Sequence, residues 1–164
     1  METYRLKIRS LSQMKEESRK LKASGKKVVF TNGCFDLLHP GHTRYLCEAR
    51  ELGDYLLVAV NSDRSVKAVK GTNRPILPEQ ARAELLAALG CVDGVVIFDE
   101  ENPLRVIREI LPHILVKGGD WAEEEIIGAD AVRKAGGEVK RIPYIEGYST
   151  SRIIDRVLAL YGSR

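Results

Sequence analysis

No apolar run in this chain approaches the roughly 20 residues that a membrane helix needs, so no membrane association is expected. The opening Met1-Glu2-Thr3-Tyr4-Arg5 has no apolar h-region, which argues against a signal peptide and for a cytoplasmic location. Cysteine is scarce and odd in number. Cys34, Cys47 and Cys91 lack metal-ligand spacing, exclude a disulfide framework and fit reduced thiols. Charge of one sign is also missing: 26 Lys and Arg face 23 Asp and Glu, and a net +3 is no nucleic-acid footprint. Histidine occurs only three times.

What is present is ordinary globular material, 164 residues with 44% hydrophobic and 30% charged, enough for one domain with a core that needs no staples. The charge is uneven. Residues 1–27 hold nine Lys and Arg against three Glu, a balance of +6, which leaves −3 for the rest. Residues 1–26 read as a helical lead-in, a solvated amphipathic helix with Leu11, Met14, Ser18 and Leu21 on one face rather than a binding arm. Residues 27–164 read as the main domain.

There, short apolar runs alternate with helical patterns. Strands are expected at 27–31, 55–60, 95–98, 114–116 and 139–142. Helices are expected at 11–24, 41–52, 63–69, 79–89, 103–110 and 129–135, with a last one capped by Ser149. The second strand, Leu-Leu-Val-Ala-Val, is apolar throughout, as a strand covered on both faces must be. The order implies right-handed βαβ units and an α/β, Rossmann-like doubly wound parallel sheet with helices on both faces. In such folds ligands bind at the carboxyl ends of strands, where the strand order reverses. Asn32–Gly33, Asn61–Asp63 and Lys117–Asp120 all follow strands, so the polar and glycine-rich segments converge on one edge.

Two of the three histidines fall in the turn Gly33-Cys34-Phe35-Asp36-Leu37-Leu38-His39-Pro40-Gly41-His42. A helix N-terminus after a strand presents free N–H groups to anions. Glycine lets backbone approach a ligand, and two imidazoles about one helical turn apart suit a polyphosphate chain. Capped surface histidines would leave the glycines unexplained, and a zinc site would need more ligands than the distant His113 supplies. Three further segments are ambiguous on their residues alone. Lys70-Gly71-Thr72-Asn73-Arg74-Pro75 is either a lid over phosphates or a solvated loop, and Arg82 beyond it is a phosphate contact or a surface residue. Lys117-Gly118-Gly119-Asp120-Trp121 is either a shelf for a flat ring or a tight turn. Ser149-Thr150-Ser151 opens the last helix with three hydroxyls where a cap needs one. Trp121 and Tyr144 read as packing residues. The turn after the first strand is not G-x-G-x-x-G and no acidic residue ends the second, which disfavours a dehydrogenase, and the histidine pair disfavours a nucleotide sensor.

Gly33 to His42 resembles the G-x-F-D-x-x-H-x-G-H signature of the nucleotidyltransferase superfamily that includes cytidylyltransferases and pantetheine-phosphate adenylyltransferase. Ser149-Thr150-Ser151 resembles its second signature. Phe30–Asp36, Val60–Asp63, Lys70-Gly71 with Arg74-Pro75, and Leu115–Asp120 are similar to the D-glycero-β-D-manno-heptose 1-phosphate adenylyltransferases, and a free-standing form rather than one fused to a kinase is expected. Glycerol-3-phosphate cytidylyltransferases share Asp120-Trp121 and the 143–151 segment but carry an arginine where this chain has Tyr144.

The resemblance implies that AMP passes from ATP to D-glycero-β-D-manno-heptose 1-phosphate, giving ADP-heptose and pyrophosphate for lipopolysaccharide core biosynthesis. The alternative is cytidylyl transfer to glycerol 3-phosphate or a related phosphorylated alcohol. It implies catalytic roles for His39, His42 and Lys70, with His42 on the α-phosphate and His39 on the β-phosphate. Nucleotide contacts would come from Thr31, Asn32, Gly33, Phe35, Gly41, Arg82, Lys117, Gly118, Gly119, Asp120, Ser149, Thr150 and Ser151. Cys34, Asp36, Asn61, Asp63 and Arg74 would bind the acceptor. Mg²⁺ would be held mainly by the triphosphate, without a dedicated protein metal site. A homo-oligomer and a separate heptose kinase are implied as well.

Overall fold

The computed structural model describes residues 3–119, 122 and 125–162. Five parallel strands, β1 (Val28–Gly33), β2 (Tyr55–Asn61), β3 (Gly94–Phe98), β4 (Ile114–Gly118) and β5 (Glu138–Ile142), form one sheet in the order β3-β2-β1-β4-β5. The chain builds outward from β1 to β3, then crosses back to lay β4 on the other side of β1. The reversal therefore lies between β1 and β4.

Alternation along the strands divides the core in two. Val29, Leu56, Val58, Val60, Val95 and Val116 pack on one face against α2 (Pro40–Glu51) and α4 (Glu79–Ala88), through Leu46, Ala49, Ala83, Leu86 and Ala87. Phe30, Leu57, Ala59, Val96 and Leu115 pack on the other against α1 (Leu11–Ala23), α5 (Leu104–Ile110) and α6 (Ala129–Lys134). Two further helices, α3 (Asp63–Lys70) and α7 (Thr150–Tyr161), follow β2 and β5.

The lead-in is tied into this core. Ser10 and Gln13 form the expected capping box, and Met14 is fully buried. A short 3₁₀ helix at Thr3–Lys7, which the sequence does not announce, precedes it. Ile8 bridges in parallel to Val95 at the sheet edge. The basic residues of this segment serve the fold: Lys7 donates to the carbonyls of Leu89 and Val92, Lys22 to those of Ile110 and Leu111, and Arg5 pairs with Glu84. No described helix is long and apolar enough to cross a membrane.

Candidate active site

A cleft of about 870 Å³ opens at the carboxyl ends of β1 and β4, where the strand order reverses. The turn after β1 is shaped by steric demands. Phe35 takes a left-handed backbone (φ 46°) that non-glycine residues rarely adopt, and its ring is nearly buried. The ring meets His42 edge-on at 5.3 Å. A Cβ on Gly33 would stand 3.0 Å from the Phe35 ring, and one on Gly41 would stand 2.9 Å from the His39 ring. Both glycines of the motif therefore make room for the rings that flank them.

His39 is the N-cap residue of α2, with Pro40 beginning the helix as its fixed φ allows. Its carbonyl accepts from the His42 N–H at 2.9 Å. The two imidazoles stack at 3.8 Å with planes 22° apart. Both Nδ1 atoms are buried and have no hydrogen-bond partner. Burial, then the neighbouring His39, pushes the His42 pKa down to about 4, against a contact with the Leu37 carbonyl that raises it; burial also lowers His39. The pair is therefore neutral at pH 7. Thr150 donates to the same Leu37 carbonyl at 3.5 Å, which ties the start of α7 to the histidine turn.

The sign of the pH effect follows. Between about pH 6.5 and 4 the unfolded chain protonates His42 while the folded chain does not, so the stability that His42 contributes is fully present above pH 6.5 and is lost as pH drops through that window. An adjacent polyanion favours the charged imidazole. An NMR titration is expected to place the His42 midpoint near 4 in the free protein and higher with tripolyphosphate added. A midpoint indifferent to tripolyphosphate would separate His42 from any phosphate.

Cations line the same cleft as the pair. Lys117 at the end of β4 approaches Asn32 Oδ1 at 3.5 Å, and burial, with Lys70 adding to it, lowers its pKa. Lys70, the last residue of α3, and Arg74 also line the cleft, as do Ser149, Thr150 and Ser151. Ser149 caps α7, its hydroxyl accepting from the Arg152 N–H at 3.1 Å. Of the expected site residues, Asn32, Gly33, Cys34, Phe35, Asp36, His39, Gly41, His42, Asn61 and Gly118 complete the lining.

Several of the expected site residues have partners within the protein. Arg82 lies outside the cleft lining. It is fully buried, donating to the carbonyls of Leu77 (3.0 Å) and Cys34 (2.7 Å) and to Asp63 Oδ1 (2.9 Å). That pairing engages one carboxylate oxygen of Asp63, which stays partly exposed. Thr31 is buried beneath the sheet edge, 2.6 Å from the Tyr45 hydroxyl, because its side chain points into the core from β1. Gly119 has φ 96°, and its N–H donates to Ile142 O at 3.0 Å. Asp36 borders the cleft, but its carboxylate accepts from Arg74 at 2.7 Å and from the Ile76 and Leu77 N–H groups. Burial raises its pKa, and these bonds outweigh it and hold the carboxyl below the usual range. Its task is to anchor the 71–77 loop. Asp120 and Trp121 lie outside the described residues.

The sequence also misses contributors. Arg152, three residues beyond Ser149, lines the cleft, as do Tyr144, Tyr148, Glu101 and Asn102. Tyr144, expected to pack, is 73% exposed. His113 stands apart, accepting from the Val28 N–H at 3.0 Å at the far end of β1.

A stacked histidine pair at a helix start, sharing a cleft with cations and a second helix N-terminus, is an arrangement for a polyphosphate. The cytidylyltransferase-like family model matches residues 30–156, from β1 into α7. The chain belongs to that family. It is a nucleotidyltransferase, and the matched span contains every cleft residue named above. It is 50% identical over 156 residues to the bifunctional protein HldE of Geobacter metallireducens, covering 95% of this chain and 32% of that protein. Against HldE of Hydrogenovibrio crunogenus it is 58% identical over 135 residues, 82% of this chain and 28% of the relative. The chain thus spans about a third of the curated relatives it matches. The crystal structure of the lipopolysaccharide core biosynthesis protein from Thermoplasma volcanium superposes with a TM-score of 0.62 at 33% identity, over 76% of this chain and all of that one.

Proposed function

We propose that this nucleotidyltransferase transfers AMP from ATP to D-glycero-β-D-manno-heptose 1-phosphate, releasing pyrophosphate. The observation that carries the reading is the stacked His39–His42 pair with its two unpartnered nitrogens, set beside Lys70, Arg74 and Lys117 in one cleft. Identity to the HldE proteins and to a lipopolysaccharide core biosynthesis protein supports the sugar acceptor and the surface-glycan product.

The acceptor phosphate is already an ionised nucleophile, so the reaction needs neither a general base nor a covalent intermediate. The protein must align in-line attack on the α-phosphorus and stabilise the charge that gathers on its oxygens. His42, held by Leu37, donates a hydrogen bond to an α-phosphate oxygen. His39 does the same for the β-phosphate. Lys70 and Arg74, anchored through Asp36, close on the acceptor phosphate. The α7 N-terminus, with Ser151 and Arg152, holds the β,γ-phosphates that leave.

Among the described residues, no group of three or more His, Cys, Asp or Glu side chains is placed to hold a metal ion. Mg²⁺ is proposed to enter on the triphosphate, where it would neutralise phosphate charge. Self-association and a separate kinase that supplies the acceptor complete the proposal, and light scattering on the pure chain tests the first.

Pyrophosphate release with Mg²⁺, crossing ATP and CTP against the heptose phosphate and glycerol 3-phosphate, tests the reaction. Release with ATP and the heptose alone is expected. A preference for CTP would keep the phosphate site and overturn base and acceptor together.

A further inference from the structure

We propose that Cys47 and Cys91 form a reversible disulfide on the folded protein, an oxidative clamp between α2 and the connection from α4 to β3. The two residues stand far apart in the sequence, so no spacing motif announces them, and the fold brings their side chains into contact. Both backbones are anchored where they meet. Cys47 lies on α2 one turn before Arg50, whose Nε pairs with Asp93 at 2.6 Å. Asp93 is two residues beyond Cys91 and also accepts from the Leu56 N–H at 2.8 Å. Lys7 holds the same connection through the carbonyls of Leu89 and Val92. Leu46 and Val92, the chain neighbours of the two cysteines, are fully buried in one core cluster, and Cys91 packs against it. A disulfide needs two Cβ groups held close and facing, and the ion pair and the shared core hold them so.

The pair divides the work of thiol–disulfide exchange. Cys47 is exposed and Cys91 is half-buried, so a small-molecule disulfide meets Cys47 first. The Cys47 thiolate attacks one sulfur of that disulfide, a mixed disulfide forms and one small thiolate leaves. Cys91 then gives up its proton, its sulfur attacks the Cys47 sulfur, and the second small thiolate leaves. Two protein thiols are oxidised to one disulfide, and the small disulfide is reduced to two thiols, which carry the two protons away. Burial, then the adjacent Cys47, pushes the Cys91 thiol up to about 12, which keeps it protonated while Cys47 is free. The mixed disulfide removes the proton and charge of Cys47, and part of that restraint with them. Cys34 lines the cleft and belongs to neither segment. Because α2 begins with the histidine pair, the clamp falls on the helix that presents it.

Incubation of the reduced protein with glutathione disulfide tests this, read by intact mass, non-reducing peptide mapping and thermal melting. Wild type is expected to lose two hydrogens, to yield a peptide pair joined through Cys47 and Cys91, and to regain its reduced mass with dithiothreitol. The link closes a loop of about 45 residues in the unfolded chain, so Tm should rise on the order of 5–10 °C. Cys91→Ser should stop at the glutathione adduct on Cys47 and show no such rise. Cys47→Ser should form no internal disulfide. A glutathione adduct on wild-type Cys47 that never resolves overturns the proposal, as does a link from Cys34 to either cysteine. A link that forms only in urea, or that lowers Tm, overturns it too. So does wild type whose Cys47 and Cys91 stay reduced throughout.

Discussion

His42→Ala is expected to lower kcat by roughly 10²–10³ while the protein remains folded, the loss typical of removing one donor aimed at transition-state charge. The basis is geometric. His42 is fixed on four sides, by its place in the first turn of α2, by the stacked His39 ring, by the Phe35 edge and by the Leu37 carbonyl. A donor so held needs little reorganisation as charge develops on the α-phosphate. Alanine keeps the helix and removes an imidazole whose Nδ1 is unpartnered without ligand, so the melting temperature should change little. Single-turnover rates at saturating substrate, with circular dichroism on the same samples, separate the effects. A kcat within a few-fold of wild type would take His42 out of the chemistry.

The architecture was legible because each level of the pattern agreed. The unbroken apolar β2 run required cover on both faces, and the β-α alternation required parallel pairing, so the polar turns had to share one edge. The histidine turn, Lys70, Arg74, Lys117 and the hydroxyl segment meet there for that reason. What could not be read is the direction of individual side chains. Thr31 and Asn32 are adjacent on β1, and the two-residue period sends one into the core and the other to the cleft. For Arg82 a signal did exist. It shares the inner stripe of α4 with Ala83, Leu86 and Ala87, four residues from Leu86, and that spacing places it inward. On its residues Arg82 reads as a surface residue or a phosphate contact, the resemblance implies phosphate, and its place on the helix points to the core. The Thr3–Lys7 3₁₀ helix escaped because five residues carry no periodicity.

Arg82→Ala should accordingly act on stability before it acts on phosphate. The guanidinium is fully buried and joins three segments: the turn after β1 at Cys34, the loop at Leu77 and the start of α3 at Asp63. Truncation leaves two carbonyls unpartnered, a carboxylate without its counter-ion and a void where the side chain ran. Breaking a buried pair of this kind costs about 3–5 kcal/mol. Asp63 is partly exposed and can find water, so the lower end applies. At roughly 2–4 °C per kcal/mol for a chain of this size, Tm should fall on the order of 10 °C. Asp63→Ala should cost less, since Arg82 keeps both carbonyl bonds. The two variants together should cost less than their sum, because each removes the same ion pair. A phosphate-binding arginine behaves differently: its loss leaves Tm in place and raises the KM for nucleotide. Well below the transition, Arg82→Ala should therefore keep a near-normal KM for ATP. An unshifted Tm with a weakened KM would return Arg82 to the cleft and mean that the 71–78 loop opens far enough on binding to expose it.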